Sequence, residues 1–457
     1  MTKRLITCLL LSIIPLTASL ARGSAKLVSD ETIREQKRLT KSYKLKNGIP
    51  VIYRQIPNSD ILEVIVNFGF GMKDLPSGKK NQPQLLFGTM PMAAKGFAKE
   101  KVFGLTEKYA LQLGCSSGIE QGNCELGTLN EHWPKVLPLF ASIINNPSLN
   151  KEDLKLTADR IVASVKANKQ DPGRYVNDVV NRVYYGENHP YANPPEDTMK
   201  EIPAISAEEL RNLHRTVLDA SHMSIVVAGS YPAKKMLRDL NRYFGALKSL
   251  GGPRVAVQKP TYNAKKNIAF ENRDIPTAYI RAKFNTVDIN DDDEVAVNML
   301  IKILDEELGE EIRTRRSLSY AVYSFVIQYS VGIGLISVST SKPKETLEAL
   351  TVVLDRLKTK KLTEQELEEY RNLYATRYFL TQESHSSLAS AISSTHFYRK
   401  SVDPLYDMPR LLDRITPEQI QKLAKKLLVN MSLGVVYAKD RFQMKWAERF
   451  VKSAEAK

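Results

Sequence analysis

The chain has 457 residues, more than one hydrophobic core ordinarily serves, so two domains of about 200 residues each are expected. At 43% hydrophobic residues, each half can bury a core. The formal net charge of +15 favours anionic partners, but Lys and Arg are spread along the chain with no long basic block and no aromatic-interleaved patch, which argues against nucleic acid.

Residues 1–25 combine a basic start (Lys3, Arg4), an apolar run from Leu5 to Leu16 broken by Pro15, and small residues at Ser19, Ala21, Ser24 and Ala25. This is the pattern of a secretory signal peptide, cleaved after Ala21 or Ala25. A membrane anchor fits less well, because the run falls short of the roughly 20 apolar residues a spanning helix needs. The expected location is therefore periplasmic or secreted. In an oxidising compartment, Cys115 and Cys124 can staple a hairpin; a free buried pair is the other reading.

Two strands are predicted between Lys44 and Phe70, with Asn47-Gly48 and Pro57-Asn58 as turns. A polar loop, helices over 84–94 and 101–113, and a strand pair around 115–129 follow. Further helices are expected at 131–145, 151–169, 174–184 and 206–217, then a strand from His222 to Ala228 and a helix over 233–244. Gly251, Gly252, Pro253 and Pro260 mark a linker over 247–263. Beyond it, Asp291 to Asp293 offer caps to an amphipathic helix that Gly309 is expected to stop. A basic turn and a hairpin come next, its strands at 319–329 and 333–340.

The chain repeats itself. ISAEELRNLHRTVLDASHMSIVV from Ile205 aligns without a gap on ITPEQIQKLAKKLLVNMSLGVVY from Ile415, and LNKEDL at Leu149 matches LTEQEL at Leu362. Two copies of one cap, helix and strand unit imply a duplicated domain: residues 26–246 and 264–457.

Autonomous hydrolytic chemistry is hard to find. None of the six histidines is spaced i,i+3 or i,i+4 from another, as two zinc ligands on one helical face would be. There is no G-x-S-x-G elbow, no local cysteine-nucleophile signature and no phosphate-binding glycine loop. Arg313 and Tyr320, at one element boundary, remain. By themselves they read as a solvated turn arginine and a half-buried strand aromatic.

The segment LGEEIRTRRSLSYAVYS resembles the second-domain motif of the insulinase and pitrilysin zinc peptidases, in which Arg and Tyr lie seven residues apart, as Arg313 and Tyr320 do. LKNGIPVIYRQ is similar to the family's first strand, and GMKDLPSGK and NHPYANP to later stretches of its first domain. The build resembles the short bacterial and mitochondrial-processing type. The resemblance implies an α+β fold of two homologous domains, each a mostly antiparallel sheet packed with helices, facing each other across a cleft. It also implies zinc bound by H-x-x-E-H on a first-domain helix. Here Gln84, Phe87 and Gly88 stand at those His, Glu and His positions, and Ala163 and Ser164 where the third ligand, a Glu, belongs. The strand that pairs with substrate backbone in the family reads GCSSGIEQGN here, a departure from its usual pattern.

The chain is therefore expected to bind no metal or other cofactor and to be inactive alone. The favoured function is the zinc-less subunit of a periplasmic heterodimeric metallopeptidase, supplying Arg313 and Tyr320 in trans to a zinc-bearing homologue for peptide hydrolysis. The expected partners are that homologue and peptide substrates. The alternative is a non-enzymatic peptide-binding or envelope assembly protein that uses the two-domain cleft.

Overall fold

Alternating apolar positions in the strand segments, and capped apolar periods in the helices, build two α+β layers in sequence. The computed structural model describes residues 27–252 and 254–455; the predicted signal peptide lies outside them. The first sheet contains β1 (Thr40–Lys44), β2 (Pro50–Gln55), β3 (Ile61–Phe68), β4 (Gln112–Ser117), β5 (Gly122–Leu129) and β6 (Met223–Gly229), in the order β1-β2-β6-β3-β5-β4. The second contains β7 (Ile268–Asn272), β8 (Ala278–Asn285), β9 (Val322–Gln328), β10 (Gly332–Thr340) and β11 (Ser432–Tyr437), in the order β7-β11-β8-β10-β9. Each sheet is antiparallel apart from one parallel pair, β2 with β6 and β7 with β11. The two orders correspond strand for strand, with β1 as the addition.

The repeat seen in the sequence is the repeat in space. Ser206 and Thr416 cap the helices Ala207–Val217 and Pro417–Leu427, Ser206 in a full capping box with Glu209. Each helix leads into the strand that takes the parallel partner. Among the described residues, no helix or strand runs between Phe244 and Ile268, where the linker is expected. Two expectations fail: the helix expected over 101–113 ends at Lys108, with Gln112 and Leu113 already in β4, and Gly309 does not stop its helix. Helix Glu294–Leu308 continues into a wider π turn, Gly309–Arg315, because that turn carries Glu311 and Ile312 inward to buried positions.

One face of each sheet packs on helices of its own half. Val64, Val66, Phe68 and Leu126 meet Phe140, Leu210 and Leu240 in the first half, and Ile280, Phe284 and Val435 meet Leu300, Leu350 and Leu423 in the second. The other face is covered by exchange. Helix Pro172–Tyr184, from the first half, lays Tyr175, Val176 and Val179 on Val436 of the second sheet. Its close approach requires Gly434, since a Cβ there would stand 2.6 Å from the Val180 nitrogen. Helix His385–Arg399, from the second half, lays Ala389 and Ile392 on Ile52, Ile65, Val226 and Ala228 of the first sheet. Ser393 Oγ also donates to Asn67 Oδ1 at 2.9 Å.

Candidate functional site

The π turn sets the position of Arg313. Ile312 is fully buried beneath it, and the Leu318 N–H returns to Ile312 O at 2.9 Å. Ser319 Oγ donates to Ser339 O at 2.6 Å, and Thr340 Oγ1 donates to Leu318 O at 2.8 Å, so the backbone leading to Tyr320 is pinned to the end of β10. The Tyr320 side chain is left in solvent, 89% exposed. The Arg313 guanidinium carbon lies 5.6 Å from the Tyr320 ring centroid, and its Nη2 donates to Val322 O at 3.4 Å. The structure thus brings the two sequence-predicted residues together on one rigid boundary.

The neighbouring carboxylates are engaged elsewhere. Arg315 pairs with Glu310 at 3.1 Å, Arg316 with Glu311 at 2.7 Å, and Arg356 with Glu307 at 2.6 Å. Burial disfavours charge on Glu311, but the hydrogen bond from Arg316 and the nearby Arg356 outweigh it and hold the carboxyl below its ordinary range. Among the described residues, no carboxylate stands within ion-pair distance of Arg313.

Helix Gln82–Thr89 carries the positions where the resemblance places zinc ligands. Gln84 is exposed. Phe87 is completely buried, edge-on to Phe68 with ring centroids 5.3 Å apart, in space that a Cβ at Gly122 would enter at 2.3 Å. A Cβ at Gly88 would meet Thr157 Cγ2 at 3.0 Å. Ala163 and Ser164 are exposed on helix Lys151–Gln170. An amide, a phenyl ring, glycine, alanine and serine do not form a zinc donor set. Among the described residues, no group of three or more His, Cys, Asp or Glu is placed to hold a metal ion. Of the six histidines, His189, His214 and His222 bond to backbone carbonyls and His385 bonds to Ser59 Oγ.

A family model described as the peptidase M16 inactive domain matches residues 204–374, a stretch that includes Arg313 and Tyr320. An uncharacterized zinc protease of Bacillus subtilis is 20% identical over 402 residues, covering 85% of this chain and 96% of its own length. Residues 204–374 therefore resemble the M16 peptidase inactive domain. The fold of the chain matches an M16 inactive-domain protein from Pseudomonas fluorescens with a TM-score of 0.79 at 19% identity, over 88% of this chain and 98% of that one. It also matches the periplasmic protease PqqL from Escherichia coli, with a TM-score of 0.75 at 17% identity, over 88% of this chain and 45% of that one. Arg313 and Tyr320 lie within the matched stretch, whereas Gln84, Phe87 and Gly88 lie outside it.

Sequence reasoning missed two features. Glu63 on β3 and Glu125 on β5 share the sheet face away from the first core. Burial, with Glu125 adding repulsion, pushes the Glu63 carboxyl up to about 7; burial also raises Glu125. Alternation along β3 shows which face Glu63 takes but not what covers that face. The second is Glu120, in the turn between β4 and β5, which is 2% exposed and joins the two halves. Cys115 and Cys124, paired across β4 and β5, form a disulfide.

Proposed function

We propose that this chain is the zinc-less subunit of an exported two-chain M16 peptidase, and that Arg313 and Tyr320 complete the active site of a zinc-bearing homologue. The observation that carries this reading is the pair itself: a guanidinium without a carboxylate partner among the described residues, beside a tyrosine that is 89% exposed, both on pinned backbone. As a peptide carbonyl is attacked, negative charge gathers on its oxygen. The Tyr320 hydroxyl and the Arg313 guanidinium are donors suited to that charge, and fixed donors act there without reorganising. The periplasmic location of PqqL and the signal-like residues 1–25 support export.

The test is reconstitution with the zinc-bearing homologue. Tyr320→Phe or Arg313→Ala in this chain should reduce the mixture's kcat roughly 100- to 1000-fold, the usual effect of losing one such donor. Unchanged activity in both variants, or chelator-sensitive proteolysis by this chain alone, would overturn the proposal.

A second reading has its own support. Tyr323 and Phe325 project from the edge strand β9, stacked with centroids 6.0 Å apart, and are 38% and 42% exposed. Such a face on an edge strand, paired on one side only by β10, suits peptide binding without catalysis. That function would be insensitive to Tyr320→Phe and would weaken on Phe325→Ala.

A further inference from the structure

A cavity of about 780 Å³ lies on the exchanged face of the first sheet, between β1, the start of β6, the linker and the end of helix His385–Arg399. Its size is in the range of small-molecule sites, but its charged lining is unbalanced. Lys37, Lys44, Arg254 and Lys400 face a single carboxylate, Asp403. Lys37 is already neutralised, pairing with Asp403 at 3.2 Å and Asp407 at 2.7 Å. No carboxylate among the described residues stands within ion-pair distance of the other three cations.

Two of those cations are held together. The Arg254 guanidinium carbon lies 4.7 Å from the Phe397 ring centroid and the Lys400 Nζ 5.3 Å from the same centroid. Arg254 Nε donates to His222 Nδ1 at 3.3 Å, and Lys400 Nζ donates to Phe397 O at 2.8 Å. Both acceptors are neutral. Burial and repulsion from Arg254 bring the Lys400 ammonium down to about 8. Burial, with Lys400 adding to it, brings His396 down to about 4, and its Nδ1 is buried without a partner. Asp74 and Glu120 favour the Arg254 charge without pairing with it. Like charges gathered in a partly desolvated cavity are costly unless an anion joins them.

We propose that this cavity binds a small multivalent oxyanion, a compound bearing two or more phosphate or carboxylate groups, with Arg254 and Lys400 as its main contacts and Lys44 at the rim. A single phosphate would fill only a small part of the space and balance fewer charges than the cavity presents. Hydroxyls at Thr40, Ser42, Ser224 and Tyr406 line the same wall and match an oxygen-rich ligand.

Calorimetric titration of the full chain with tripolyphosphate, and separately with citrate, at one fixed salt concentration tests this. The expected result is saturable binding of at least one of them at a single site. Lys400→Gln and Arg254→Gln should each weaken it roughly 10- to 100-fold, the effect of losing a charged hydrogen bond. Lys41→Gln, an exposed neighbour on β1 outside the cavity lining, should leave it unchanged. Lys400 is exposed as a residue, so its variant tests the site even if Arg254→Gln fails to fold. Binding by only one probe identifies the headgroup chemistry. Absence of saturation by both at millimolar concentration, or equal weakening by Lys41→Gln and Lys400→Gln, would overturn the proposal.

Discussion

The Glu120 carboxylate accepts the backbone N–H of Ser330 at 3.0 Å, and so joins the turn between β4 and β5 to the equivalent turn between β9 and β10. The hydroxyls of Tyr191 and Tyr398 donate to the same carboxylate. A charged acceptor with three donors, buried at the meeting of two hairpin tips, links the halves at a second place besides their exchanged helices. Glu120→Ala should therefore destabilise the fold by about 2 to 3 kcal/mol, because the donors lose a charged partner. Urea unfolding measures the loss, and amide exchange at Ser330 should accelerate; an unchanged Ser330 amide would show that the tips are held by other contacts.

Phe87 stands where the resemblance to zinc peptidases would place a general base. Phe87→Ala should cost about 3 to 5 kcal/mol, as expected for a fully buried phenyl ring. Combining Gln84→His, Phe87→Glu and Gly88→His in one chain should not create a zinc enzyme. The carboxylate introduced by Phe87→Glu would be buried against Phe68, and the imidazole introduced by Gly88→His would start from a Cβ 3.0 Å from Thr157 Cγ2. Metal analysis and chelator-sensitive peptide cleavage check the triple variant, with neither expected above the parent's level.

Residues 27–246 and 264–455, expressed separately, should each fail to give a cooperative unfolding transition, while co-expression should restore a soluble complex. Each sheet lacks the helix that covers its second face until the other half is present. Circular dichroism melts of the single and mixed fragments decide the point.

Stability should fall as pH rises through the window set by Glu63. Its carboxyl is raised from 4.5 to about 7 in the fold. Between those values the native chain holds a proton that the unfolded chain has lost, so deprotonation works against folding. The loss from this group is on the order of 3 kcal/mol at most and is complete above the folded value. Glu63→Gln should flatten that part of the profile in denaturant titrations at successive pH values. An identical profile in the variant would assign the dependence to other groups.

The helix and strand units around 207–229 and 417–437 are readable in the sequence because cap, period and strand agree locally. The exchange of helices is not. Val176, Val179, Ala389 and Ile392 announce buried faces, but periodicity does not say which sheet a face meets. The Arg313 and Tyr320 boundary could be located by spacing and resemblance, whereas the π turn could not: Gly309 looks like a stop, and the burial of Glu311 and Ile312 beyond it has no local signal. Glu120 reads as a solvated turn residue until the second hairpin is placed over it. The basic cavity draws on β1, the linker and residues 396–403, segments that are remote in sequence.

The exchanged helix also sets a timetable for synthesis. When β6 is complete at Gly229, the first sheet has all its strands, but Ile52, Ile65, Val226 and Ala228 lack most of their cover until the residues of helix His385–Arg399 exist. At ordinary elongation rates that interval is roughly 10 to 30 seconds. During it, a finished sheet presents an apolar face against which only Val28 and Ile33 of the cluster's covering residues have yet been made, so aggregation of nascent chains should be greatest between the completion of β6 and the arrival of that helix.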